Sequence, residues 1–163
     1  MFLSTEQKAT LKAYIESQPE MASQPRNSDG SFEIARLLNQ TASPDFIVWK
    51  SVVGQDEIMQ NGFDWVQVDN LSVGKARIWE WLFNNESRRL NPSKPNVRAG
   101  IDECWKGTAA MLAVRAAVYV HCKRKATVIE KLFATGTGTD AVPATMAIEG
   151  TIHYQEVDDI RNS

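Results

Sequence analysis

Asn70-Leu-Ser-Val-Gly-Lys-Ala-Arg-Ile-Trp-Glu-Trp-Leu-Phe83 decides the fold class of this chain. Two tryptophans, a phenylalanine and several aliphatic side chains share one run, and their spacing predicts an amphipathic helix. Asp69, Asn70 and Ser72 are candidate N-caps, and the helix is expected to end near Asn84. Another tryptophan-bearing run, Asn61-Gly-Phe-Asp-Trp-Val66, comes just before it. No catalytic signature accompanies this density of large apolar groups. The segment reads as packing material, within a core or between subunits, and Trp65, Trp79, Trp81, Phe83 and Trp105 are the expected packing residues.

Helical signals extend outward on both sides. Ser4-Thr-Glu-Gln7 can form a capping box that opens a helix over residues 5–17. Residues 18–31 are rich in Gln, Pro, Ser, Asn, Asp and Gly, and read as a mobile loop. A short helix is expected over Phe32-Glu-Ile-Ala-Arg-Leu-Leu-Asn39. Phe46-Ile-Val-Trp49 suits a strand by its β-branched and aromatic content, yet Ser43-Pro-Asp just before it also suits a helix start. Gly54-Gln-Asp-Glu-Ile-Met59 reads as a short helix closed by the Asn61-Gly62 turn, and residues 85–96 read as a loop. Helices are then expected at about 96–105 and, as one long element, at 108–133. The first half of that long helix is apolar nearly all round, whereas its second half is basic. Thr135-Gly-Thr-Gly-Thr-Asp140 ends it, and Ala147-Ile-Glu-Gly-Thr-Ile-His-Tyr154 is the best strand candidate, because it roughly alternates.

The expected fold is mainly α: a helical bundle with long loops and a small C-terminal β-strand or hairpin. Its core domain would cover residues 1–134, with the mobile loop at 18–31, and an extended arm carrying the strand would cover 135–163. A lone strand leaves backbone groups unpaired. The 147–154 strand would therefore pair with 46–53, with 65–68, or with another copy of the chain.

Composition narrows the function classes. The chain has 163 residues, is 43% hydrophobic and carries a formal net charge of −2, so global charge points to neither nucleic acid nor a membrane. The distribution is uneven. Residues 1–74 hold 5 Lys and Arg against 10 Asp and Glu, residues 75–131 hold 12 against 5, and residues 132–163 hold 1 against 5. Such an acidic–basic–acidic order suits contact between copies, or pairing within one subunit. Arg115, Lys123, Arg124, Lys125 and Lys131 form the basic cluster, expected to line a DNA channel or to meet acidic neighbours. The longest apolar run, residues 108–120, is interrupted by Arg115 and is too short to span a bilayer. No apolar segment of secretory type follows Met1-Phe-Leu, and reduced thiols at Cys104 and Cys122 are expected.

Sites of chemistry are weak by comparison. Val73-Gly74-Lys75 fails the phosphate-loop pattern, with Asp69 in place of the first glycine and Ala76 in place of Ser or Thr. Gly136-Thr-Gly138 follows a helix rather than a strand, which argues against dinucleotide binding. Cys104, His121, Cys122 and His153 match no zinc spacing, and a buried structural cysteine is commoner than a nucleophile. The acid pairs Asp56/Glu57, Asp102/Glu103 and Asp158/Asp159 read as solvated surface. No catalytic residue, cofactor or metal is expected.

Four segments carry a family resemblance: Phe46-Ile-Val-Trp-Lys50, Asn61-Gly-Phe-Asp-Trp65, Asp69-Asn-Leu-Ser-Val-Gly-Lys-Ala-Arg-Ile-Trp-Glu-Trp-Leu-Phe83 and Val97-Arg-Ala-Gly-Ile-Asp102. Over residues 30 to 160 the chain resembles a small structural protein of tailed-phage and prophage gene clusters, most like a head-to-tail connector, an adaptor or neck protein. The resemblance implies a mainly helical, non-enzymatic virion protein made in the host cytoplasm. It implies self-assembly into a ring, a dodecamer being one candidate size, that continues the DNA channel between portal and tail or neck proteins. Capsid decoration, tail-tube association, and nucleic-acid binding by a basic 115–131 helix are the alternative readings.

Overall fold

The computed structural model describes residues 2–163. Its elements follow from local chemistry. Helix α1 (Thr5–Ser17) opens at the expected capping box, with the Ser4 hydroxyl accepting from Gln7 N–H and the Gln7 side chain accepting from Ser4 N–H. Residues 18–31 hold more than a loop. Pro19 sits at the first position of α2 (Pro19–Ala22), where its missing N–H costs nothing, and Asn27 caps α3 (Ser28–Leu38) by accepting from Gly30 N–H at 2.9 Å. Pro19 thus starts a helix, while Pro25 stays in the connection before the Asn27 cap. Gly30 is required sterically, since a Cβ there would lie 2.0 Å from the Pro25 carbonyl oxygen.

Strand β1 (Ile47–Trp49) settles the ambiguous segment as extended, and β2 (Val53–Gly54) follows it. Helices α4 (Gln55–Ile58), α5 (Val66–Asp69) and α6 (Val73–Leu82) come next, then β3 (Arg89–Leu90) and α7 (Pro95–Cys104). The expected long helix over 108–133 is instead α8 (Ala109–His121), β4 (Lys123–Lys125) and α9 (Val128–Phe133). The break has two causes. Cys122 C=O accepts from Lys50 N–H, and Ala126 N–H donates to Phe46 C=O, so the backbone around β4 bonds to the β1 region. Thr127 and Glu130 then form a new capping box that starts α9.

Hairpin strands β5 (Ala134–Thr135) and β6 (Thr145–Met146) pair antiparallel, so the C-terminal β element lies just before the expected 147–154 strand. That segment is not a strand. Ile152 N–H and C=O bond the Asn39 side chain at 2.9 Å each, and Gly150 N–H donates to Glu130 at 3.1 Å, so side chains take the place of a partner strand. Helix α10 (Tyr154–Asn162) closes the described chain. The fold is mainly α, with ten helices and three two-stranded sheets among the described residues.

Two compact units result, and they do not coincide with a 1–134 core and a 135–163 arm. The first unit joins residues 2–48 to 125–163, and the second is 49–124. The supposed arm belongs with the N-terminal helices because α10 packs along α3 and buries Val157 and Ile160 beside Leu11, Ile34 and Leu38. Buried Arg161 reinforces this union. Its guanidinium donates to the carbonyl oxygens of Gln24 at 2.8 Å and Pro25 at 3.0 Å. The core of the second unit gathers Val53, Ile58, Phe63, Trp79, Phe83, Trp105, Val114 and Val118.

Glu130 is 2% exposed and accepts from Thr127 N–H and Gly150 N–H. Glu130→Ala would remove a buried charged acceptor from two backbone donors, and is expected to lower stability by about 1–3 kcal/mol. A urea unfolding midpoint measured at unchanged m value checks this.

Candidate functional site

Helix α6 organises the second unit. Ser72 caps it by accepting from Lys75 N–H at 3.3 Å. Trp79 and Phe83 are four residues apart and share a face, whereas Trp81 is about 200° around the helix from Trp79. The burial follows this geometry: Trp79 and Phe83 are 6% and 5% exposed, while Trp81 is 65% exposed. Ile78 and Leu82 form the side that meets α7. Gly100 allows the approach, since a Cβ there would stand 3.2 Å from Leu82 Cδ2.

Trp79 lies edge-on to Trp105 at 5.2 Å and to Phe83 at 5.1 Å, and Phe63 lies edge-on to Trp105 at 5.6 Å. Phe63 also meets Trp65 at a steep interplanar angle, with centroids 4.9 Å apart. Trp65 is 58% exposed. Of the five expected packing residues, Trp79, Phe83 and Trp105 therefore form the core. Trp65 and Trp81 do not enter it. A helical wheel through α6 carries the signal for Trp81, because positions two apart cannot face one core.

Beside this cluster runs an open groove of about 960 Å³. Met59, Trp65, Val68 and Leu71 line it together with Trp79, Trp81, Glu80 and Arg88. Met59, Val68 and Leu71 were not singled out in the sequence, because they sit in α5 and the turns around it, too short for a periodic pattern. The lining is mixed, with Gln55, Asn84, Asn85 and Glu86 as well as Glu80 and Arg88 standing among the apolar and aromatic groups. Such a surface can receive apolar side chains and gains free energy by covering its exposed rings. It presents no nucleophile and base in contact.

The basic cluster is distributed between the units. Arg115 projects from α8 towards Asp102, with Nη1 3.5 Å from Oδ1. Lys123 and Arg124 belong to the second unit, in β4. Lys125 and Lys131 belong to the first, where Lys125 pairs with Asp45 at 2.6 Å and Lys131 Nζ lies 5.6 Å from the Phe46 ring centre. A continuous basic helix over 115–131 is therefore absent, since β4 interrupts it. Outside this cluster, the Arg98 guanidinium stacks over Trp49 at 4.9 Å.

Cys104 and Cys122 are buried, and desolvation pushes their thiols up to about 11 and about 12, so both are protonated near neutrality. Burial, and then the Asp102 carboxylate that its hydroxyl meets at 2.9 Å, push the Tyr119 phenol up as well. His153 precedes α10 in the first unit, far in sequence from the cysteines of the second. Among the described residues, no three His, Cys, Asp or Glu side chains gather as a metal site would require. Among the same residues, no helix is long and apolar enough to cross a membrane. Of the acid pairs, Glu57 meets Lys50, Glu103 meets Lys106, and Asp158 accepts from the Ser31 hydroxyl at 2.9 Å.

No family model matches the chain, and no curated protein or solved structure matches it.

Trp79→Ala is expected to cost about 3–5 kcal/mol of unfolding free energy, because it opens the ring cluster. Trp81→Ala is expected to stay within about 0.5 kcal/mol. Urea denaturation of the two variants, side by side, checks the assignment of faces on α6.

The thiols give a pH dependence. A group whose folded pKa lies above its unfolded value, about 8.5 for cysteine, favours folding below that unfolded value. The contribution is lost as pH rises towards about 11 and about 12. Urea midpoints are expected to fall across this alkaline window, and the fall is expected to be shallower in Cys122→Ala.

Proposed function

We propose that the chain is a non-enzymatic structural protein of a tailed-phage virion, acting as a connector between head and tail. The observation that carries the structural class is the groove of the second unit, where Trp65 and Trp81 are 58% and 65% exposed beside a ring cluster that is otherwise buried. Large rings that stay in water after folding are the residue type that anchors protein–protein interfaces. The position between portal and tail rests on the sequence resemblance, through the segments around Trp49, Trp65, Trp81 and Arg98.

Charge supports assembly between copies or with neighbours. The first unit holds 7 Lys and Arg against 12 Asp and Glu, and the second holds 11 against 8. One unit is thus net acidic and the other net basic, which favours head-to-tail contact over like-to-like contact. In a ring built this way, the basic side chains Arg115, Lys123 and Arg124 would face either a neighbour's acidic unit or DNA in the channel. The protein would then reside in the virion after synthesis in the host cytoplasm, with portal and tail or neck proteins as partners.

The test is negative-stain electron microscopy of particles produced with an amber stop in this gene. DNA-filled heads without tails are the expected result. Heads and tails joined as in the wild type would overturn the connector role and favour decoration or a tail-tube accessory role.

A further inference from the structure

Asn61-Gly62 closes the turn between α4 and α5, and both residues are exposed. Gly62 has φ +91°, in the left-handed region that residues with side chains rarely adopt. The turn is held by Phe63 N–H donating to Gln60 C=O at 3.2 Å. A side chain on the residue after an asparagine shields its own backbone nitrogen, and Gly62 has none.

We infer that Asn61 is a site of spontaneous covalent modification, its side-chain amide converting to a carboxylate through a cyclic imide. The Gly62 backbone nitrogen, losing its proton to solvent, attacks Asn61 Cγ. A nitrogen–Cγ bond forms, the Cγ–Nδ2 bond breaks, and Nδ2 leaves with a solvent proton as ammonia. Water then adds to either imide carbonyl and opens the ring, giving aspartate or isoaspartate. Nothing is oxidised or reduced.

Other asparagines are held differently. Asn27 Oδ1 caps α3, and the Asn39 amide bonds both N–H and C=O of Ile152. Asn85 bonds the backbone of Arg89 at 2.6 and 3.1 Å. Asn91 precedes Pro92, whose nitrogen has no proton to lose. Asn70 precedes Leu71, a branched residue, and its amide reaches Val66 C=O at 3.3 Å.

The position matters for the groove. Met59 and Trp65, which flank the turn in sequence, both line it, and Phe63 joins the turn to Trp65 and Trp105. Conversion adds a negative charge at residue 61, and the isoaspartate form adds one backbone atom to the turn. The docking surface of the second unit would thus change with the age of the molecule.

The experiment incubates the full chain at mildly alkaline pH and follows the tryptic peptide between Lys50 and Lys75, which contains both Asn61 and Asn70. Tandem mass spectrometry is expected to find acid at residue 61, in two isomeric forms, accumulating several-fold faster than acid at residue 70. Tryptophan emission of the aged chain is expected to shift, and that of Asn61→Gln, aged alongside, to stay constant. A parallel sample in urea separates sequence from turn. Rapid conversion in urea with none in the folded chain would show that the turn shields Asn61 and would overturn the proposal, as would slow conversion in both. Conversion without any change in tryptophan emission would overturn the link to the groove.

Discussion

Packing of Phe63, Trp79, Phe83 and Trp105 is the constraint on which the second unit depends. Each ring comes from a different place: a turn, two successive turns of α6, and the residue that ends α7. Three of the ring pairs meet edge to face and Phe63 stacks on Trp79, an arrangement that fixes both distance and orientation between their elements. Helix α6 cannot rotate without pulling two of the four out of contact. The cluster forms at a cost, since Trp105 Nε1 is buried without a hydrogen-bond acceptor among the described residues. Shape complementarity among rings therefore outweighs the loss at one indole N–H, which is on the order of 1–3 kcal/mol.

The first unit depends on a different device. Its two chain segments are far apart in sequence; one buried charge, Arg161, joins them, and a second, Glu130, braces the later segment on itself. Arg161 ties the end of the described chain to the carbonyls before α3, while Glu130 ties α9 to the turn at Gly150. Buried charged groups persist only where hydrogen bonds replace the water they lose. Each therefore enforces one arrangement of irregular backbone, which apolar contacts alone would leave adjustable. The segment 147–154 shows the result. Its backbone bends at Gly150 and is held by side chains of Asn39 and Glu130, with no neighbouring strand needed.

Much of this architecture was legible in sequence, and the departures share a cause. Helix α1 and the apolar run of α6 were legible because capping and periodicity are local. Alternation in 147–154 resembled a strand, because Ile148 and Ile152 do turn inward, yet its backbone is partnered by side chains, Asn39 more than one hundred positions away and Glu130 in the preceding helix. The run from 108 to 133 looked like one helix because no proline or glycine interrupts residues 109–133, and Lys123-Arg-Lys has no intrinsic objection to helix. Its break depends on hydrogen bonds to Phe46 and Lys50 that only tertiary structure supplies. The polar stretch 18–31 concealed two helix starts, since Pro19 and Asn27 terminate and initiate with equal chemical ease. Of the site, the ring cluster was legible and the groove was not, because Met59, Val68 and Leu71 fall in α5 and its flanking turns.

The groove ties these observations to function. Folding buries Trp79 but leaves Trp81, two residues on, in water, and the same unit exposes Trp65 and Val66 on α5 and at its start. Neither exposed ring is needed to complete the core, and each is a liability to solubility in an isolated molecule. A surface of this kind is consistent with a chain whose apolar burial finishes only on docking. Under the proposed assembly the charge asymmetry between the units would work in the same direction, because an acidic and a basic unit on one chain would attract the opposite units of a second copy and repel their own kind. Rings at the centre would then supply affinity through burial, while charges set orientation and on-rate. An assembly built on that division of labour is salt-sensitive in how fast it forms and far less so in how long it lasts.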